Sequence, residues 1–149
     1  EGNKGNLNLL YQVVKYSVPW ILAAYENRRS FISIDNLNYV VYEILNHLEI
    51  PSGIYNIADD KPMSTNALIT LIAKSINKKP RLLKIPKFAI NQMAKIGDKA
   101  HLPLNTERLQ KLTESYVVSN QKIKQSLSID TLPFTVEQGL TKTIKSFDK

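Results

Sequence analysis

The apolar residues of this chain come in short periodic sets, each long enough for one face of a helix or one short strand. The clearest set is Leu37, Val40, Val41, Ile44 and Leu48, spaced at the helical period and interrupted by Asn38, Glu43 and Asn46. Such helices bury one face and leave the other in water, so they fold by packing against one another or against short strands. No stretch approaches the roughly 18 apolar residues of a membrane-spanning helix, and no membrane association is expected.

Leu7–Val14 is predicted to be a helix with Leu7, Leu10 and Val14 on one side. Val18–Leu22, with Pro19 near its start, reads as an edge or buried strand, and Ser30–Ile34 as an alternating one. Asp35 or Asn36 is expected to cap the helix that carries the Leu37 set. Pro51-Ser52-Gly53 is a turn, Ile54–Ile57 a short strand and Asp59–Pro62 a loop. Ser64 or Thr65 should cap a helix with Leu68, Leu71, Ile72 and Ser75 on one face. Arg81–Ile85 reads as a strand ended by Pro86. A helix over Lys87–Ile96 follows, with Ala89, Met93 and Ile96 aligned and Gly97 at its end. Asp98–Asn105 is loop-like, Thr106–Leu112 a short helix and Ser115–Val118 extended, and Ser119 or Asn120 caps a helix through Leu127. Thr135 and Gln138 fit a capping box for a last helix. Its buried face is Val136, Leu140, Ile144 and Phe147, with Gly139 inside it as a weak point. The expectation is one helix-rich α/β domain over residues 1–149.

Most catalytic chemistries have no foothold here. Without cysteine there are no disulfides, thiolate zinc sites or cysteine nucleophiles. There is no G-x-S-x-G elbow, no phosphate-binding loop ending in Gly-Lys-Ser/Thr, and no G-x-G-x-x-G fingerprint. His47, late in a helix, and His101, in a loop, lack metal-ligand spacing, so a helix-end or surface role is expected for both and no metal is expected. Asp59-Asp60 pairs two carboxylates in a Pro-containing turn, where a solvated loop is the expectation. The net charge of +7 suits an anionic partner. The basic residues are scattered, without the aromatic-interleaved stripe of a single-strand nucleic-acid binder, and a solvated surface accounts for most of them.

Two features could meet an anion. Gly2-Asn3-Lys4-Gly5-Asn6-Leu7 is a Gly-rich loop opening a helix, where free N–H groups favour phosphate, although most such loops are only caps. Asn27-Arg28-Arg29-Ser30-Phe31 enters a strand, and alternation sends its two arginines to opposite faces. One guanidinium, a planar fork matched to phosphate oxygens, could then turn inward while its neighbour stays in solvent.

Taken in order, these pieces resemble the extended short-chain dehydrogenase/reductase (NAD-dependent epimerase/dehydratase) family. The resemblance is to its UDP-galactose and UDP-N-acetylhexosamine 4-epimerases and UDP-sugar 4-ketoreductases, and it covers essentially the whole chain. Glu1-Gly2-Asn3 is similar to the end of the family's Tyr-Gly-x-Gly-Asn. Arg29-Ser30-Phe31-Ile32-Ser33-Ile34-Asp35-Asn36-Leu37 resembles its Arg-[SD]-[FY]-[IV]-x-V-x-[DN]-L block, and Gly53-Ile54-Tyr55-Asn56-Ile57 its G-x-Y-N-[IL] strand. Val18–Leu22 is similar to the strand whose backbone pairs with uracil, except that Ile21-Leu22-Ala23-Ala24 replaces the usual Pro-Leu-Gly. Tyr116–Ile123 resembles the start of the last helix pair.

The resemblance implies a C-terminal substrate-binding domain without its N-terminal Rossmann core, from a cytoplasmic enzyme of nucleotide-sugar and polysaccharide metabolism. It assigns UDP-sugar contacts to Asn6, Leu7, the backbone around Trp20 and Leu22, Arg29 on the diphosphate, and Arg108. NAD or NADP would serve the full-length protein, a homodimer by family habit, and none would be bound to this chain. The family's cofactor loop and catalytic Tyr/Lys pair would lie upstream, so these residues alone are expected to be inactive. The rival reading is a non-catalytic module for a phosphorylated metabolite or RNA.

Overall fold

The computed structural model describes residues 6–47, 49–100 and 104–148. Among these are seven α-helices: α1 (Asn6–Lys15), α2 (Ile34–Asn46), α3 (Thr65–Ser75), α4 (Lys87–Ala100), α5 (Thr106–Thr113), α6 (Gln121–Ser126) and α7 (Val136–Lys145). β structure among the described residues is limited to isolated bridges. The helix-rich part of the α/β expectation holds, and the strands are shorter than their sequences suggest. No described helix is long and apolar enough to cross a membrane. The Gly2–Gly5 loop, Leu48 and His101 lie outside the described residues.

The chain forms two compact units, one of Glu1–Arg28 with Ser64–Ser115 and one of Arg29–Met63 with Tyr116–Lys149. In the first, α1 packs on α3 and α4 on α5. Leu10, Tyr11 and Val14 of α1 and Leu68, Ile69, Ile72 and Ala73 of α3 are buried. Ser64 caps α3, its hydroxyl accepting the Ala67 N–H at 3.0 Å. The strands expected at Val18–Leu22 and Arg81–Ile85 reduce to the bridges Trp20 with Leu82 and Leu22 with Lys84. Pro19 removes a donor, a turn from Leu22 to Tyr25 ends one segment, and Pro80 and Pro86 bracket the other.

Two expectations about α4 fail together. Gly97 does not end the helix, which runs on to Ala100. Its buried face is Ile90, Ala94 and Gly97, while Met93 and Ile96 are exposed. Both sets have the same spacing. The deciding feature is the backbone carbonyl of Leu104, which approaches so closely that a Cβ at position 97 would collide with it.

In the second unit α2 packs on α7. Its core is Val40, Ile123, Leu127 and Leu132, joined by Tyr39, Ile44, Tyr55 and Ile57. Ser33 caps α2, not Asp35 or Asn36, and accepts the Asn36 N–H at 3.3 Å. The strand expected over Ser30–Ile34 does not form among the described residues: the bridges lie one residue earlier, at Arg29, and Ile34 already begins α2. Ile54–Ile57 forms no bridge among the described residues. The capping box is present: the Thr135 N–H donates to Gln138 Oε1 at 2.8 Å, and the Gln138 N–H to Thr135 Oγ1 at 3.3 Å. Gly139 is no weak point, because α7 meets Ser33 there and a side chain would collide with it.

Candidate functional site

Arg29 has both of its backbone polar groups engaged. It exchanges two hydrogen bonds with Met63, each 2.9 Å, and the next residue's N–H donates to Tyr116 O at 2.9 Å. Two further segments thus fix the chain at Arg29. Its side chain is half-buried, whereas Arg28 is exposed, as strand alternation predicts.

The same unit holds a buried polar cluster. Asp59 Oδ1 accepts from Asn36 Nδ2 at 2.6 Å, from the Ser33 N–H at 3.3 Å and from Ser33 Oγ at 3.4 Å. Asn36 also donates to Phe134 O at 2.8 Å and accepts the Phe134 N–H at 3.1 Å, which uses both ends of its amide. Asp59 is therefore buried and engaged, not the solvated loop carboxylate expected.

Asp60 faces the other way and accepts from Lys124 Nζ at 2.7 Å, Asn120 Nδ2 at 2.9 Å and the Leu132 N–H at 2.8 Å. Burial pushes its carboxyl up. The Lys124, Leu132 and Asn120 hydrogen bonds with the Lys124 charge outweigh that and hold it below the usual carboxylate range. Beside it, Lys61, Leu132, Phe134, Thr135 and Glu137 line an open cavity of about 380 Å³. None of the residues predicted to contact substrate lines this cavity.

The remaining predicted residues belong to the first unit. Asn6 is the first residue of α1, and Leu7 follows it, half-buried. Trp20 and Leu22 are buried on one segment. The Trp20 N–H donates to Arg81 O at 2.7 Å, and its carbonyl accepts the Leu83 N–H at 2.9 Å, so both its backbone polar groups are engaged within the unit. Its indole N–H donates to Asn66 Oδ1 at 3.2 Å, and Asn66 Nδ2 donates to Ala23 O at 3.1 Å. Arg108 is exposed on α5.

Two features were not singled out from the sequence. Asn27 is buried; its Nδ2 donates to Thr65 Oγ1 at 2.9 Å and Leu112 O at 3.2 Å, and its Oδ1 accepts the Thr65 N–H at 2.9 Å. A lone Asn before two arginines carries no periodic signal of this. Tyr11 and Lys15 also stand four apart on α1, in a Tyr-x-x-x-Lys spacing. Tyr11 is only 1% exposed, and Lys15 Nζ lies 5.6 Å from its ring centroid, a core tyrosine under a cation. His47 takes the helix-end place expected, at the C-cap of α2 with Nδ1 2.9 Å from Glu43 O. No group of three His, Asp or Glu side chains gathers for a metal among the described residues.

Over 147 residues the chain is 22% identical to a UDP-glucose 4-epimerase of Vibrio cholerae. The match takes in 98% of this chain and 43% of the epimerase, so the chain spans less than half the length of this curated relative. No family profile and no solved structure matches the chain.

Proposed function

We propose that these residues are the UDP-sugar-binding part of an NAD(P)-dependent nucleotide-sugar 4-epimerase or 4-ketoreductase, cytoplasmic, dimeric when full-length, and serving polysaccharide synthesis. The similarity to a UDP-glucose 4-epimerase along nearly the whole chain carries this reading. NAD or NADP, held elsewhere in the longer protein, supplies the acceptor or donor of a hydride at C4 of the sugar. The residues here bind and orient. Arg29, with its backbone fixed on both sides, offers a guanidinium fork to the diphosphate. Asn6 and Leu7 at the start of α1 add helix N-terminal donors. Backbone around Trp20 and Leu22 meets the uracil, and Arg108 supplies a second cation. Binding energy from these remote groups positions the sugar for chemistry elsewhere in the protein.

Titration calorimetry of the full-length protein tests this. UDP should bind more tightly than uridine, and Arg29→Ala should weaken UDP about tenfold to a hundredfold, the worth of a charge-assisted contact, while barely changing uridine. No uridine-nucleotide binding, with RNA binding that falls steeply as salt rises, would instead establish the nucleic-acid alternative.

A further inference from the structure

The two units carry very different charge. The first, Glu1–Arg28 with Ser64–Ser115, holds 13 Lys and Arg against 5 Asp and Glu, and the second holds 7 against 8, so the whole excess of +7 belongs to the first. It is concentrated in residues 74–99, which hold eight basic residues and one acid, Asp98, whose carboxylate accepts the Thr106 N–H at 2.9 Å. All eight basic residues are exposed, and none pairs with a carboxylate among the described residues. Crowded like charges repel one another, a cost that an anionic partner relieves.

Helix α4 lies in this segment and adds apolar groups to it. Ile90, Ala94 and Gly97 turn inward. The outer side carries two adjacent stripes, Phe88, Lys95 and Lys99 at i, i+7 and i+11, and Ala89, Met93 and Ile96 at i, i+4 and i+7. Phe88, Met93 and Ile96 are 75%, 47% and 61% exposed. Nucleic acid would suit the lysines, but it makes little use of exposed Met and Ile, and α4 offers one aromatic ring for stacking. A covering protein would suit the apolar side chains, but lysine is depleted from protein interfaces. Lysines beside a stripe of Phe, Met and Ile match anionic headgroups above acyl chains. We propose that the outer face of α4 docks on an anionic lipid bilayer, with Phe88, Met93 and Ile96 entering the acyl boundary and Lys95 and Lys99 meeting headgroup phosphates. A helix bound in this way lies in the membrane plane and needs no spanning stretch. None of these residues is among those assigned to UDP.

Sedimentation of the full-length protein with lipid vesicles tests this. Phosphatidylcholine vesicles with about 30% phosphatidylserine should bind it at least about tenfold more tightly than phosphatidylcholine alone, and less so in high salt. Lys95→Gln combined with Lys99→Gln should weaken that binding about tenfold, and Phe88→Ser by a similar factor. Lys142→Gln combined with Lys145→Gln, the same charge loss in the second unit, should change it less than about twofold. All five replaced residues are exposed, so the urea midpoints of these variants should match that of the parent protein. Equal binding to the two kinds of vesicle overturns the proposal. So does an equal loss from the Lys142 and Lys145 pair, which would make the attraction one of net charge alone. RNA binding that the Lys95 and Lys99 pair weakens, without vesicle binding, assigns the face to nucleic acid instead. Vesicle binding abolished by saturating UDP assigns it to the nucleotide site, and either result also overturns the proposal.

Discussion

The two units are held together by different chemistry. The first is mainly an apolar assembly of α1 on α3 and α4 on α5, whose buried polar residues are Asn27 and Thr65, bonded to each other. The second buries Ser33, Asn36 and Asp59 beside its apolar core and ties Asp60 to three donors. An apolar core tolerates small shape changes gradually, because each lost methylene removes a modest increment. A buried polar cluster fails abruptly, because removing one partner leaves the others desolvated and unsatisfied.

Truncation of each core is the strongest way to break this comparison. Ile72→Ala should destabilise the first unit by about 2–5 kcal/mol, seen as a lower urea midpoint for the fluorescence of Trp20, the one tryptophan of the chain. Asn36→Ala should destabilise the second by about 2–4 kcal/mol, because Asp59 loses its shortest donor and both Phe134 backbone groups lose a partner. Hydrogen exchange in α2 and α7 peptides measures it. A cost well under about 1 kcal/mol would mean that water or rearrangement satisfies the cluster and that the contrast between the units is only apparent.

Acid sharpens the contrast. The Asp60 carboxyl is held below its usual range in the folded chain, so the stability it contributes is present above the unfolded pKa of about 3.9 and is lost as pH falls through the lower folded value. Exchange in the second unit should therefore accelerate below about pH 4, and Asp60→Asn should flatten that acid limb. An unchanged limb in Asp60→Asn would move the acid-labile group elsewhere. Smaller effects should follow from the caps: Ser64→Ala and Thr135→Ala should each cost about 1 kcal/mol in urea titrations. The exposed Lys142–Asp35 pair should matter least, with Lys142→Ala costing at most about 0.5 kcal/mol and less in high salt.

The helices were legible because their signals are local. Thr135 with Gln138, Ser64 before α3 and the short Thr106 helix all act within one turn, where neighbouring residues decide the outcome. Ser33 does not stand out as a cap in the sequence, because Asp35 and Asn36 are equally good cap types. Only the inward turn of Asn36 towards Asp59 and Phe134 takes it out of competition. For the candidate site, alternation separated exposed Arg28 from half-buried Arg29, but nothing local marked Asn27 or the engagement of the Trp20 backbone.

What the sequence determined by itself is the set of helices, the Ser64 and Thr135 caps and the resemblance carried by the Arg29 block, all consequences of residues within a few positions of one another. The tertiary structure decided which apolar set faces inward, as with Ile90, Ala94 and Gly97 in place of Ala89, Met93 and Ile96. It also decided which β-prone segments pair and which stay open. Burial and strand pairing depend on what lies opposite: a carbonyl such as that of Leu104 selects a glycine face, and an extended segment becomes a strand only beside a partner.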